Sequence, residues 1–445
     1  NLRLRTDTHK PQPPLHKRRE DSSLTITCDR YVPRSTRAKG PGRKVSIMKL
    51  SALCVLALTF SIAESAMVCY FGSWATYRYS DGKFDVENID PSICTHVVYG
   101  FAGLNTNNTI AVLDPYNDLC DNWGKCSYNK FTGLKDKNAD LLTLLGVGGW
   151  NEGSTKYSNM AASPANRKIF IESTIRLLLL HNFDGIDFDW QYPTLRGGVA
   201  ADKENFIYLL SELREALDVV GMILTVGVSA VKNNIDSAYD IPAMAQHVDL
   251  VNLMTYDFYG AWDPFTQHQS GLYAYPGDTG DSVYLTQNFS VNYWISGGMP
   301  STKITLGIPL FARCWSLDND AVHGYYAPAQ NPGPAGPYTQ TPGLLGYNEL
   351  CDLINKNSWP EVVAEGCNEP YTYSATYQKI WCSYENHDSV AIKAQYAKDN
   401  NLGGLMVWSL ETEDFHGYCS SRPNDLIKTM NEVFDAQDTT TAATY

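Results

Sequence analysis

One stretch of the sequence is decisive for the fold: residues 183–193 read Phe183-Asp184-Gly185-Ile186-Asp187-Phe188-Asp189-Trp190-Gln191-Tyr192-Pro193. Side chains of a β-strand alternate between its two faces, so Asp187, Asp189 and Gln191 share one face and the apolar residues between them share the other. The apolar face is expected to meet helices, which places the polar face inside a barrel. Two carboxylates spaced about 6 to 7 Å apart along a strand have no structural reason to lie in a core. Acids near the C-terminal end of such a strand therefore indicate a functional site, the alternative being a solvated edge strand.

The rest of the chain contains further short, apolar, β-prone segments, several of them separated by helical patterns. One helix is predicted to begin at Pro164, capped by Ser163, and another to end at Gly221. Eight strands alternating with helices predict an α/β fold, a (β/α)₈ TIM barrel. The predicted strands are Met67–Phe71, Thr95–Phe101, Leu141–Val147, Phe183–Asp189, Met222–Ser229, Val248–Tyr256, Lys303–Phe311 and Leu402–Trp408.

The predicted domain, residues 67–436, is longer than the roughly 250 residues typical of such a barrel. The surplus lies mostly between residues 312 and 386, a stretch rich in Pro, Gly and Tyr. We therefore expect a small α+β domain inserted between the seventh strand and the seventh helix, where it walls one side of the barrel mouth. Residues 437–445 are a Thr/Ala-rich tail.

Two N-terminal segments are expected to lie outside this domain. Residues 48–66, from Met48, have one positive charge, a short apolar run and small residues near Ala66, which is typical of a secretory signal peptide. A buried core helix is the alternative for this segment. Residues 1–47 hold 12 basic and 4 acidic side chains and no apolar periodicity, and we interpret them as upstream sequence read through in translation, without a fold. The protein is therefore expected to be secreted and extracellular.

The body of the chain is strongly acidic, because residues 48–445 hold 23 basic and 44 acidic side chains. Such a body repels phosphate backbones and anionic lipid heads, so nucleic acid and membrane surfaces are not expected partners. The histidines are scattered, without the spacing of metal ligands, and we predict a monomer with neither a metal site nor a cofactor. The sequons at Asn107 and Asn288 are candidate glycosylation sites in the secretory pathway.

The stretch around Gln191 resembles the signature of glycoside hydrolase family 18, the chitinases, in which this position is a glutamate. Further segments resemble other motifs of the family: Cys69–Trp74, Tyr99–Ala102, Leu145–Asn151, Met254–Trp262 and Gly403–Trp408. The resemblance implies a substrate class, β-1,4-linked N-acetylglucosamine, and a substrate-assisted mechanism, which is an exception to the two-carboxylate scheme. In that mechanism an acid protonates the leaving oxygen while the sugar's own acetamido carbonyl attacks the anomeric carbon.

The resemblance also implies roles for residues at matching positions. Asp189 corresponds to the partner of the acetamido group and Asp187 to its support, while Tyr256 and Asp257 are expected to be donors around the same group. The candidate catalytic positions are Asp184, Asp187, Asp189, Gln191, Tyr256 and Asp257. The residues expected to contact the sugar are Tyr70, Trp74, Phe101, Gly149, Trp150, Met254, Trp262, Phe311, Arg313 and Trp408.

Gln191 is the main departure from the family, because it stands where the acid is expected. A carboxamide has nearly the shape of a carboxylic acid but no proton that it can release near neutral pH. Loss of a general acid alone costs on the order of 10² to 10⁴ in rate. In a second departure, Phe311-Ala312-Arg313 stands where the family commonly has Tyr-Gly-Arg, so a phenol hydroxyl is lost while the aromatic face remains.

We therefore predict a catalytically inactive chitinase-like protein that binds chitooligosaccharides or related N-acetylglucosamine glycans without hydrolysing them. One alternative is a growth-factor-like signalling protein whose main partner is a protein receptor. Another alternative is a chitinase with residual endo-hydrolysis of β-1,4-linked N-acetylglucosamine. A titration with chitin oligomers separates the first two hypotheses, and product release from a fluorogenic chitooligosaccharide separates the third from both.

Nine cysteines follow the predicted cleavage region, and an oxidising compartment predicts disulfides among them. The resemblance implies the pairs Cys69–Cys94 and Cys351–Cys419. Spacing alone suggests Cys120–Cys126 and Cys367–Cys382, which would leave Cys314 as the odd thiol.

Overall fold

The structure, a computed structural model, describes residues 65–364 and 366–436. The predictions for residues 1–47, for the tail 437–445 and for nearly all of the predicted signal peptide lie outside the described residues. Within them, no helix is long and apolar enough to span a bilayer.

Fifteen strands are found in the described residues. They are β1 (Ala66–Gly72), β2 (His96–Leu104), β3 (Ile110–Val112), β4 (Leu142–Gly148), β5 (Gly185–Asp189), β6 (Ile223–Ser229), β7 (Leu250–Met254), β8 (Ile304–Pro309), β9 (Phe311–Ser316), β10 (Asn331–Pro332), β11 (Leu344–Gly346), β12 (Glu361–Val363), β13 (Pro370–Ser374), β14 (Ile380–Ser383) and β15 (Gly404–Trp408).

Eleven α-helices accompany these strands in the same part of the chain. They are α1 (Pro115–Asp118), α2 (Ser127–Thr132), α3 (Thr155–Ala161), α4 (Pro164–His181), α5 (Asp202–Val220), α6 (Lys232–Ala238), α7 (Ile241–Met244), α8 (Gln287–Ser296), α9 (Tyr347–Asn357), α10 (His387–Asp399) and α11 (Asp425–Asp435). As predicted, Ser163 caps α4 with Pro164 at its first position, and Gly221 ends α5 at φ 70°.

Eight parallel strands close into a barrel, which confirms the predicted fold. The sheet order is β1-β15-β8-β7-β6-β5-β4-β2, and pairing of β1 with β2 closes the ring. Each predicted strand coincides with one of these eight. Consecutive strands of the central part are neighbours, so β5 lies between β4 and β6 and its C-terminal end opens at the barrel mouth.

The apolar face of β5 packs outward against the helices, as the alternating pattern predicts. Phe188 is fully buried, and its ring lies 5.8 Å from that of Phe170 on α4 and 6.0 Å from that of Phe206 on α5. Trp190 continues the same face and contacts Phe206 at 5.7 Å. The acidic face of the strand is therefore directed into the barrel.

The predicted insertion forms a second, antiparallel sheet between β8 and α10. Its order is β10-β9-β14-β13-β12, with β11 also paired to β9 and with α9 in the same segment. Gln269, from the loop after β7, joins this sheet to the barrel because its side-chain nitrogen donates to the carbonyl oxygen of Phe311 at 2.6 Å. The inserted sheet is thus fixed beside the mouth.

Three of the four predicted disulfides are confirmed: Cys69–Cys94, Cys120–Cys126 and Cys351–Cys419. The prediction that Cys367 pairs with Cys382 is wrong, as is the prediction that Cys314 is the odd thiol. Cys382 is bonded to Cys314, which lies directly opposite it in the antiparallel pair of β14 and β9. Cys367 is a buried free thiol. Strand register, which spacing does not reveal, decides the pairing.

Candidate functional site

Asp187 is a fully buried carboxylate in the middle of β5, held by donors from three other barrel strands. It accepts hydrogen bonds from the Tyr70 hydroxyl at 2.7 Å, from the Thr225 hydroxyl at 2.6 Å and from the Asn252 side-chain nitrogen at 2.9 Å. Burial raises the pKa of Asp187, and these three bonds oppose that shift. We call Asp187, Asp189 and Gln191 the acidic ladder of β5. The three hydrogen bonds therefore fix Asp187 one step below Asp189 in this ladder.

Asp189 lies one step nearer the mouth and is 2% exposed. Burial, and then the charge of Asp187, raise the pKa of Asp189 to about 7, while its bonds with Gln191 act in the opposite direction. The neighbouring strand makes room for it, since a Cβ on Gly227 would lie 2.8 Å from Asp189 Oδ1. The pKa of this buried carboxyl group therefore lies near physiological pH.

Gln191 is the half-buried end of the ladder, and its amide is directed back at Asp189. Gln191 Nε2 donates to both carboxylate oxygens of Asp189 at 3.0 Å, and it lies 3.6 Å from the sulfur of Met254. The structure therefore brings Asp187, Asp189, Gln191 and Met254 together, as predicted, with a carboxamide at the outermost position.

Asp257 follows β7 and binds Arg313 through two parallel hydrogen bonds. Arg313 Nε and Nη2 donate to the two oxygens of Asp257 at 2.7 and 2.8 Å. The guanidinium lies 5.1 Å from the Trp262 ring centroid and 5.2 Å from that of Phe311. These four predicted residues form one unit in which the charge of Asp257 is neutralised and the rings are held in place. Both oxygens of Asp257 accept hydrogen bonds here, so the expectation that Asp257 is a donor is wrong.

Tyr256 lies beside this unit with its ring edge-on to Phe311, the centroids being 5.9 Å apart. Burial raises the pKa of Tyr256 well above its ordinary value, and the charge of Asp189 adds to the shift. The phenol therefore keeps its proton at physiological pH and remains a hydrogen-bond donor.

An aromatic cluster lies around Trp408, at the end of β15, which is four strands away from β5 in the barrel. The Trp408 ring is stacked on Phe101 at 5.9 Å and contacts Tyr70 at 5.4 Å and Trp74 at 6.2 Å. Gly149, at φ 85°, allows the close approach of Phe101, because a Cβ there would lie 2.9 Å from the ring. Trp74 remains 44% exposed, so the cluster offers ring faces to a ligand.

Trp150 and Trp262 are the two most exposed of the predicted tryptophans, at 59% each. Both are covered on one side by an arginine. Arg313 lies over Trp262, whereas Arg196 lies over Trp150 at 3.5 Å from the ring centroid. Arg196 was not predicted as a site residue, and no motif in the sequence distinguishes it from other loop arginines.

Asp184 is not part of the cleft, which corrects its prediction as a catalytic position. It precedes β5, so it lies at the opposite end of the strand from Gln191. Asp184 pairs with Lys135 at 2.8 Å and accepts hydrogen bonds from the backbone nitrogen and hydroxyl of Thr143 at 2.8 and 2.7 Å. These contacts tie β5 to β4 at the bottom of the barrel.

Two polar side chains of the barrel interior, Thr225 on β6 and Asn252 on β7, were also not predicted. Each interrupts a run of apolar residues in its strand, and this interruption is the sequence feature that could have identified it as a polar residue of the barrel interior. Of the two sequons, Asn107 is exposed, whereas Asn288 lies in α8 and accepts a hydrogen bond from the Tyr396 hydroxyl at 3.0 Å. Glycosylation of either remains a prediction.

One cluster of metal-type ligands occurs among the described residues, formed by Cys351, Asp414 and Cys419. Its two sulfurs are joined in a disulfide, and the Asp414 oxygens accept hydrogen bonds from the backbone nitrogens of Tyr418 and Cys419 at 2.9 and 2.7 Å. The disulfide and the backbone hydrogen bonds explain why these three residues lie together, and they leave neither sulfur free to bind a metal ion.

Comparisons with known proteins agree with this architecture. The chain is 38% identical to probable chitinase 2 of Drosophila melanogaster over 377 residues, which cover 82% of this chain and 75% of that protein. It is 36% identical to probable chitinase 10 of the same organism, of which it spans only 16%. The relatives thus include both proteins of similar length and a much longer one.

Two solved structures are similar over most of the chain. The Ostrinia furnacalis group IV chitinase in complex with allosamidin is 42% identical with a TM-score of 0.80, and the match covers 83% of this chain and 98% of that one. Human YKL-39, described as a pseudo-chitinase with retained chitooligosaccharide binding properties, is 34% identical with a TM-score of 0.77, covering 84% and 100%.

The family model of glycosyl hydrolases family 18 matches residues 66–413, which include every barrel strand and the whole inserted sheet. On this match and on the identities above, the chain belongs to glycosyl hydrolases family 18.

Proposed function

We propose that this protein is a secreted chitinase-like protein that binds N-acetylglucosamine oligosaccharides without hydrolysing them. The observation that carries the proposal is the contact between Gln191 and Asp189. The amide nitrogen of Gln191 donates to both oxygens of Asp189, at the position where the family mechanism needs an acid. A carboxamide so placed fills the space of the proton donor and has no proton to release.

The remaining groups are those that binding requires. Tyr256 keeps its hydroxyl proton and lies close to both Asp189 and Asp257, and these are the groups that the family resemblance assigns to the acetamido group. Stacking of a sugar ring needs only an aromatic face, and Trp408 offers one within its cluster. A ligand can therefore be held while the leaving oxygen finds no general acid, which costs on the order of 10² to 10⁴ in rate.

Two further findings support the proposal. Human YKL-39 is described as a pseudo-chitinase that retains chitooligosaccharide binding, so the family contains a protein of this kind beside enzymes such as the Ostrinia furnacalis chitinase. Four disulfides in the described residues are typical of proteins from an oxidising, extracellular compartment.

The test combines two measurements on the same preparation. Calorimetric titration with chitin dimer through hexamer is expected to show binding that strengthens with length, and a fluorogenic chitooligosaccharide is expected to release no product above the rate without protein. Turnover at a chitinase-like rate would replace the proposal by the enzyme alternative. Absence of binding to every oligomer would instead favour the alternative of a protein receptor.

A further inference from the structure

Arg196, on the loop between β5 and α5, makes three contacts that join two loops of the barrel mouth. Its guanidinium carbon lies 3.5 Å from the centroid of the Trp150 ring. Its Nη1 donates to the carbonyl oxygen of Trp150 at 2.8 Å and to that of Gln191 at 2.9 Å. One exposed side chain thus connects the turn after β4 with the residue at the end of the acidic ladder.

The loop that carries Arg196 is held in shape by a buried carboxylate. Thr194 and Arg196 adopt left-handed backbone conformations, at φ 69° and 51°. Asp202, which is fully buried, accepts hydrogen bonds from the backbone nitrogens of Thr194 and Val199 at 3.2 and 2.7 Å and from the Ser158 hydroxyl at 2.6 Å. Since these bonds satisfy the backbone, the loop presents Arg196 without depending on the guanidinium contacts.

The turn that carries Trp150 is also bound to the backbone of the segment around Gln191. The Gly149 nitrogen donates to the Asp189 carbonyl at 2.8 Å, and the Ser154 hydroxyl donates to the Tyr192 carbonyl at 2.8 Å. The backbone of the turn is therefore fixed, whereas the exposed Trp150 ring is held on one face by Arg196. Its orientation relative to Gln191 depends on that contact.

We propose that Arg196 is a positioning residue that makes Trp150 a one-faced platform for a sugar ring at a set distance from residue 191. The inference rests on the proposed function and deepens it. Arg196 covers one face of the indole, so a sugar can stack only on the other. Because Trp150 follows β4 whereas Trp408 ends β15, and these two strands are not neighbours in the barrel, an oligosaccharide reaches both platforms only when it is long enough. Arg196 therefore sets affinity for long oligomers more than for short ones.

The experiment titrates chitin dimer through hexamer into the native protein and into Arg196→Ala, Arg196→Lys, Trp150→Ala and the Arg196→Ala/Trp150→Ala double variant. Arg196→Ala is expected to weaken hexamer binding roughly fivefold and to leave the dimer unchanged. Arg196→Lys, which keeps the charge but not the planar contact, should recover only part of the loss. The double variant should bind no more weakly than Trp150→Ala, because Arg196 acts through that ring.

Lys232→Ala is the matched control, since Lys232 also lies over an aromatic ring, that of Tyr293 on the outer helices. A second readout is the indole N–H resonance of Trp150, which should shift in Arg196→Ala and stay in place in Lys232→Ala. Native hexamer affinity in Arg196→Ala, or losses that add in the double variant, would overturn the inference while leaving the proposed function intact. A native protein that binds no oligomer would overturn both.

Discussion

At position 191 an amide group stands where the family mechanism needs an acid. The amide of Gln191 directs its N–H groups at both oxygens of Asp189, which favours the ionised form of a carboxylate that burial would otherwise neutralise. Replacement by glutamate would put two carboxyl groups about 3 Å apart in a buried site, where like charges lead them to share one proton.

Gln191→Glu is therefore expected to raise chitinase activity above that of the native protein, which we propose to be inactive. The shared proton raises the pKa of the new carboxyl group, so it carries a releasable proton near neutral pH, as a general acid requires. The measurement is product release from a fluorogenic chitooligosaccharide, followed as a function of pH. The rate should fall on the alkaline side as the shared proton is lost.

Gln191→Asn is the control for this prediction, because it shortens the side chain and supplies no acid. It should release no more product than the native protein does. If Gln191→Glu binds the oligosaccharide with native affinity but releases no more product than Gln191→Asn, the remaining groups of the cleft do not support the family mechanism.

Trp408→Ala is expected to weaken binding of a chitin tetramer by about 1 to 3 kcal/mol, because it removes the central ring of the aromatic cluster. Titration calorimetry measures this difference directly. Tyr208→Ala, which removes an exposed ring on α5 of the outer layer, is the comparison and should bind as the native protein does. Equal affinity in the two variants would exclude Trp408 as the main anchor.

At the scale of the elements, β9, the first strand of the insertion, pairs with β14, its last strand. Cys314 and Cys382 bond across this pair, closing a loop of 68 residues. A bridge over a loop of that length stabilises a fold mainly by restricting the unfolded chain, typically by 2 to 4 kcal/mol. It thus fixes the sheet that stands beside the cleft.

Peptide mapping by mass spectrometry without reductant should therefore find Cys314 linked to Cys382. Cys367, buried and with its pKa raised by burial to about 12, should react with an alkylating reagent only after unfolding. A matched pair of variants, Cys314→Ser/Cys382→Ser and Cys367→Ser, should separate the two roles, since only the first should lower the free energy of unfolding by several kcal/mol. A linked peptide containing Cys367 would contradict the assignment.

The elements also show which features local sequence can predict. The alternation of β5 depends on neighbouring residues, so Asp187, Asp189 and Gln191 were placed correctly. Asp184 belongs to the same motif, yet it lies beyond the other end of the strand, where Lys135 pairs with it. The bond of Cys382 to Cys314 depends on register between strands 68 residues apart, and the contact of Arg196 with Trp150 depends on two loops meeting at the mouth. Such non-local contacts leave no local pattern.

At the scale of the whole molecule, several buried ionisable groups make the free energy of unfolding depend on pH, some in one direction and some in the other. Burial raises the pKa of Asp118 to about 6, that of Asp189 to about 7 and that of Glu413 to about 8. In each case the folded state holds a proton that the unfolded chain has already lost, so stability falls as pH rises toward the folded pKa. Burial lowers the pKa of His96 to about 4, and this group acts in the reverse sense between pH 4 and 6.5.

These signs predict that the free energy of unfolding falls as pH rises from 5 to 8, because three carboxyl groups with raised pKa values outnumber the one histidine that opposes them below pH 6.5. Above pH 6.5 the histidine contribution has ended, whereas Asp189 up to about pH 7 and Glu413 up to about pH 8 still bind a proton only in the folded state. One such proton changes stability by about 1.4 kcal/mol per pH unit, so Glu413 and Asp189 together are expected to cause a loss of about 3 kcal/mol between pH 6.5 and 8. Denaturant unfolding at half-unit pH intervals measures it.

Glu413→Gln isolates the main source of this slope. Glu413 is fully buried between the end of β15 and α11, where it accepts a hydrogen bond from the Leu426 nitrogen at 2.9 Å. The amide keeps that acceptor and cannot ionise, so the decline above pH 6.5 should become shallower whatever the variant's absolute stability. Glu172→Gln, at an exposed position on α4, should retain the native slope. An equal slope in all three proteins would show that Glu413 is already ionised in the folded state, and the decline would then have to come from other groups such as Asp189.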